Sequence, residues 1–170
     1  MMNLETKNTE MLGKYETAVE NLKKYNQGTT LFDTNFSRYT VGKDYTESLN
    51  RLRIQNSDFK NCKFLAPIIR TNASGSRLES CKFDSINLEN SNLQFSSLFD
   101  CKFSYCNIEG SNFNNCFMEK VVFDTDSFMG SSFLRTQFVN CKILGGEMLS
   151  SSLEFAEFKN TYFENLRLAN

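Results

Sequence analysis

The chain has 170 residues and a formal net charge of −1, with six cysteines but no histidine. Without histidine there is no Ser-His or Cys-His nucleophile pair and no histidine-bearing metal site, and no glycine-rich phosphate loop or basic patch occurs. No long apolar run and no charged-then-apolar leader is present, so the sequence predicts a non-enzymatic, cytoplasmic protein with no cofactor, no membrane span and no direct nucleic-acid binding.

Residues 1–50 read as a helical and irregular capping segment, and residues 51–170 as a repeat domain. Within the first, Met11, Tyr15, Ala18, Leu22 and Tyr25 recur at spacings of 4, 3, 4 and 3, the stripe of an amphipathic helix over residues 8–27. Asn8 or Thr9 would cap its start and Gly28 its end. Such a helix either covers the open first turn of the repeat domain or pairs with a partner or a second copy. Tyr45, Leu49 and Leu52 predict a second short helix over 44–52, and Thr34/Phe36 with Tyr39/Val41 an imperfect first turn of the repeat. Leu52/Ile54, Ser57/Phe59 and Cys62/Phe64 begin a paired pattern one residue out of phase with the later units, because the unit at 62–65 is one residue short.

From Ile68 onward a large apolar side chain stands at every fifth position, through Leu78, Phe83, Leu88 and Leu93 to Phe158, Phe163 and Leu168, with Ala73 the one small member. Two residues earlier in each unit runs a second ladder, mostly small: Thr71, Ser76, Cys81, Ser91, Ser96, Cys101, Cys106 and their successors. A period of five fits neither a helix nor a flat strand. Residues two apart on an extended chain face the same side, so each unit aims one small and one large residue inward. The two outward residues next in the unit break strand alternation and force a corner. Only a closed or coiled path keeps every fifth residue aimed at one axis.

The units SNLQF, CKFDS, SNFNN and AEFKN resemble the A-(D/N)-L-x-x repeat of the pentapeptide-repeat family, and the resemblance runs through 21 uninterrupted units over residues 66–170. It implies an all-β solenoid, a right-handed quadrilateral β-helix with four units per coil and no interior cavity, here preceded by an N-terminal α-helical cap. Twenty-one units would form about five coils, a rod roughly 25 Å long at the usual strand spacing.

All six cysteines fall on the inward small ladder, and Cys81 and Cys101, 20 residues apart, are expected to stack in adjacent coils with Cys141 beyond. They read as reduced, space-filling thiols rather than a metal site. Asp126 is the anomalous inward acid. It either turns to bond local backbone at a corner, in room left by Gly146, or acts as a functional carboxylate. The outward acids Glu89 and Glu109 read as solvated side chains rather than a catalytic pair, so no catalytic residue is expected.

Outward positions suggest two surfaces. After the large inward residue, Met129, Leu134, Val139, Leu144 and Leu149 occupy five successive units, an apolar girdle around all four faces, to which Phe95 and Phe155 add exposed aromatic area. That girdle is a site for another protein or a shelf for the chain's own N-terminal helix. Glu79, Asp84, Glu89, Glu109, Glu119 and Asp124 make a candidate acidic surface. The resemblance brings in bacterial relatives that mimic DNA and bind DNA gyrase or topoisomerase IV, of quinolone-resistance or toxin-immunity type. Residues 66–170 hold 12 acidic and 9 basic residues, and Lys82, Lys102 and Lys142 share one face and dilute the negative charge. The reading is therefore a protein-interaction scaffold, with DNA mimicry as the alternative. A homodimer through the last coil or the N-terminal helix is a further expectation.

Overall fold

The computed structural model describes residues 30–32, 53–64 and 67–169. The predicted helices over 8–27 and 44–52, and the pairs Thr34/Phe36 and Tyr39/Val41, lie outside the described residues. Within them, every strand is two or three residues long and every pairing is parallel. β1 (Thr30–Phe32), β2 (Asp58–Lys60), β4 (Arg77–Glu79), β6 (Ser97–Phe99), β8 (Phe117–Glu119), β10 (Gln137–Val139) and β12 (Glu157–Lys159) form one sheet in that order. β3 (Lys63–Phe64), β5 (Lys82–Asp84), β7 (Lys102–Ser104), β9 (Val122–Asp124), β11 (Lys142–Leu144) and β13 (Tyr162–Glu164) form a second.

Two further faces are held by single bridges. One joins Asn72, Asn92, Asn112, Ser132 and Ser152, and the other joins Asn87, Asn107, Ser127, Glu147 and Arg167. Partners on the regular coils are 20 residues apart, as in Leu98 beside Met118 and Phe103 beside Phe123. Four pentapeptides therefore close one coil, and the chain is a β-solenoid of four faces. The exception is the first full coil, where Asp58 pairs with Arg77 and Lys63 with Lys82 at an offset of 19. The short unit at 62–65 is absorbed there without loss of pairing.

Thr30–Phe32 lies inside the stretch read as a cap, yet pairs with β2 in register, Leu31 beside Phe59. Three residues 28 positions from their partners leave no five-residue signature, so no periodicity could reveal them.

Corners and interior follow from the five-residue unit. The residue two past each large inward one takes a left-handed conformation, with φ near +55° at Ser80, Asn90, Asp100, Asn115 and Lys120. A single left-handed residue turns the chain about a right angle after each short extended run, at a cost of about 1–2 kcal/mol for a residue with a Cβ. Inward, the large ladder is buried from Ile54 to Met148. Phe64, Phe83, Phe103 and Phe123 stack at ring-centroid separations of 4.6, 4.4 and 4.9 Å. In the last coil Phe158, Phe163 and Leu168 stay exposed because no further coil packs over them among the described residues.

The small ladder does more than fill space. The hydroxyls of Ser91, Ser96, Ser111 and Ser131 each accept the backbone N–H of the residue 20 before them and donate to the carbonyl 23 before them. Ser111, for example, takes the Ser91 N–H at 3.2 Å and gives to Leu88 at 2.8 Å. Successive coils are thus stitched together from inside, which satisfies buried backbone groups that strand pairing leaves over. Contrary to the expectation of no interior space, a small apolar cavity of about 20 Å³ lies among Ile54, Phe59, Phe64, Ala73 and Leu78, where Ala73 replaces a large ladder member.

Candidate interaction surface

Because the fold aims every large ladder residue inward, chemistry toward other molecules falls to three outward columns per face: the residue before the large one, the residue after it, and the corner. Their neighbours are set by the 20-residue register.

The acidic candidates do not form one stripe. On the seven-stranded sheet the outward column runs Lys60, Glu79, Phe99, Glu119, Val139, Lys159. On the six-stranded sheet it runs Asp84, Ser104, Asp124, Leu144, Glu164. Glu89 and Glu109 belong to a third face, two residues beyond the bridged Asn87 and Asn107. Cations interleave with them. Glu79 is paired with Lys60 at 3.0 Å and Arg77 at 3.3 Å, and hydrogen bonds from these two hold its carboxyl below the usual range. Lys102 pairs with Asp124 at 3.2 Å. Lys63, Lys82 and Lys102 stand side by side on successive strands, with Lys142 beyond Val122.

The apolar candidates all face outward. Met129 is exposed, and Leu134, Val139, Leu144 and Leu149 are each half-buried, the row passing from face to face until Leu149 returns to the face of Met129. Phe95 and Phe155 are 62% and 67% exposed at left-handed corners of the same edge. Arg135, on that edge one coil before Phe155, lies over the Phe155 ring at 5.8 Å. Sequence reasoning missed a second aromatic group. Phe99 and Phe117, on adjacent strands β6 and β8, meet at 5.7 Å between centroids, with Arg77 over the Phe99 ring at 4.5 Å. These three come together through the pairing of strands one coil apart, a signal visible only once the coil length is known.

Asp126 is buried and accepts two backbone hydrogen bonds, from Cys106 N–H at 2.7 Å and Asp124 N–H at 3.0 Å. Burial nevertheless pushes its carboxyl from the usual 3.8 up to about 7. The first bond is the one a ladder serine would accept, so Asp126 stands in for a serine and is bound to backbone one coil away as well as at Asp124, where the sequence reading had a local bond at a corner or a functional carboxylate. The role of Gly146 differs from that reading. Gly146 has φ +90°, and a Cβ there would lie 2.1 Å from the Asp126 carbonyl oxygen. The glycine is needed for close backbone approach, while the carboxylate points the other way, toward Cys106.

The six cysteines are all buried and none is in a disulfide. Their thiols repeat the serine pattern, Cys116 donating to Leu93 at 3.0 Å and Cys141 to Met118 at 3.4 Å. Burial pushes the Cys106 and Cys116 thiols up to about 12. Among the described residues no group of three or more Cys, Asp or Glu side chains is arranged to hold a metal ion.

A five-residue inward ladder, left-handed corners and a 20-residue coil register together define a four-faced β-solenoid of five-residue units, the fold that the sequence resemblance implies. No family model and no curated protein sequence matches the chain. Solved structures similar to it include a trypsin-treated variant of QnrB1, a plasmid-mediated fluoroquinolone resistance protein (14% identity, 85% of this chain and 82% of that one, TM-score 0.36). Others are HetL, a pentapeptide-repeat protein involved in heterocyst differentiation regulation in Nostoc (10%, 84% and 88%, TM-score 0.32), and Rfr23, a pentapeptide-repeat protein of the cyanobacterium Cyanothece 51142 (16%, 85% and 87%, TM-score 0.22). At these scores they carry no argument, and the fold rests on the geometry above.

Proposed function

We propose that this solenoid is a non-catalytic scaffold that binds another protein through its outer surface, in the cytoplasm, where buried free thiols stay reduced. The observation that carries the reading is the apolar row Met129, Leu134, Val139, Leu144 and Leu149: five successive outward sites, none buried, crossing all four faces. Isolated apolar side chains are ordinary on a surface, but a continuous band marks contact. DNA mimicry, with gyrase or topoisomerase IV as target, needs a continuous negative surface. Here the acids are divided over three faces and interleaved with lysines, which disfavours it.

Two assays separate these readings. Leu134→Glu with Leu144→Glu is expected to abolish cross-linking to a partner while leaving the far-UV circular dichroism and melting curve unchanged. A gyrase supercoiling assay, with and without a quinolone, is expected to show no effect at large molar excess. Inhibition or drug protection at micromolar protein would instead favour the DNA-mimic reading, and loss of fold in the double variant would place this row in the core.

A further inference from the structure

Three of the six cysteines stand in one inward column. Cys62, Cys81 and Cys101 each precede a lysine, and Lys63, Lys82 and Lys102 pair in register on β3, β5 and β7. The backbone follows suit, Lys82 N–H donating to the Cys62 carbonyl and Lys102 N–H to the Cys81 carbonyl, both at 2.9 Å. The other three cysteines have no cysteine one coil away. Cys106 lies between Ile86 and Asp126, Cys116 between Ser96 and Thr136, and Cys141 between Val121 and Thr161.

Contacts within the column make its members unlike. Hydrogen bonds from the Cys101 thiol, and then from the Cys62 thiol, hold Cys81 low, whereas the bond to Cys81 and burial hold Cys101 high. One sulfur is the better nucleophile, and a protonated thiol stands beside it. The Cys81 sulfur lies 3.5 Å from the Phe59 carbonyl, and Phe59, Leu78 and Phe83 line the interior cavity, so the packing beside this column has slack.

We propose that Cys81 and Cys101 are a redox-sensitive pair, two stacked thiols that a peroxide joins into a disulfide, locking one coil to the next from inside. Their Cα atoms stand one strand step apart, about 4.8 Å, within the disulfide range of about 4.4–6.8 Å. The Cβ atoms must close to about 3.8 Å, a shift of about 1 Å, next to the left-handed corners at Ser80 and Asp100. Hydrogen peroxide, far smaller than a thiol reagent, is the oxidant. The Cys81 sulfur attacks one peroxide oxygen and the O–O bond breaks. Cys81 becomes a sulfenic acid, and the departing hydroxide leaves as water with the Cys81 proton. The Cys101 sulfur then attacks the sulfenic sulfur, the S–S bond forms, the S–O bond breaks, and a second water carries off the Cys101 proton. Two thiols lose two electrons and the peroxide gains them. A dithiol reductant reverses the bond, so in a reducing compartment it is transient and reports oxidant.

The test uses the full chain, reduced, treated with hydrogen peroxide at pH 7, alkylated in denaturant and mapped by peptide mass spectrometry. The expected product is a Cys81–Cys101 disulfide, formed at least about 10-fold faster than any oxidation at Cys106, Cys116 or Cys141. The oxidised protein should melt about 5–10 °C above the reduced one, and dithiothreitol should reverse the gain. Cys101→Ser supplies the hydroxyl that the ladder uses elsewhere, so it should keep the native circular dichroism and gain nothing on oxidation. Cys116→Ser should respond as the native chain does. In urea the pairing preference should vanish. Six alkylated thiols after peroxide, a disulfide to Cys62 or between chains, a preference that persists in urea, or a lower melting temperature on oxidation would each overturn the proposal.

Discussion

Replacing Asp126 with serine should make the solenoid more stable, and by an amount that depends on pH. The folded carboxyl is pushed up to about 7 by burial, whereas in the unfolded chain it returns to near 3.8. Below about pH 4 both states are protonated and the acid costs little. Between 4 and 7 the unfolded state loses its proton first, the folded state binds more protons, and stability falls as pH rises. Above 7 the penalty is constant, at most about 4 kcal/mol from 1.36 kcal/mol per pH unit over roughly three units. Serine removes this term and restores a hydroxyl that accepts from Cys106 N–H and donates to the carbonyl of Phe103, as its equivalents do elsewhere. It gives up the Asp124 N–H bond in exchange, so the number of hydrogen bonds is unchanged at every pH. Urea unfolding of both proteins at pH 4, 6 and 8 would read it. The expected gain is small at pH 4 and grows toward pH 8. A gain independent of pH would show that the carboxyl is not taxed by burial, and a loss at pH 8 would show that its two backbone hydrogen bonds outweigh desolvation.

Gly146→Ala and Gly130→Ala form a matched pair, both at positive φ, but an added Cβ meets the Asp126 carbonyl at 2.1 Å in the first and nothing within 4 Å in the second. Gly130→Ala should cost about 1 kcal/mol from backbone strain alone, and Gly146→Ala clearly more, as read by thermal melting; equal losses would refute the close-approach argument. Ala73→Val fills space beside Ile54 and Phe64 and should stabilise by about 1 kcal/mol in urea unfolding, whereas destabilisation would mean the site cannot take two methyl groups. The native protein should release none of its six thiols to a disulfide reagent at pH 8 and all six in denaturant, since all six are buried; burial also holds Cys106 and Cys116 protonated up to about 12, whereas hydrogen bonds from Cys101 and Cys62 hold the Cys81 thiol low and only its burial shields it. Rapid reaction of one thiol in the native state would locate a coil that opens.

The five-residue ladder determined the class of fold, because burial of one large and one small residue per unit admits a single path for the chain. The same arithmetic brought Cys81 beneath Cys101, put Lys82, Lys102 and Lys142 on one face, and turned the girdle outward. Three things were decided only in three dimensions. β1 joined a sheet through residues with no periodic signature, since pairing needs backbone alone. Phe99, Phe117 and Arg77 became one patch because the coil length, not their spacing in the chain, makes them neighbours. Asp126 and Gly146 departed from the roles that composition suggested: whether a buried acid uses a glycine's empty space depends on which way its Cβ points, and here the neighbouring backbone had already taken that space.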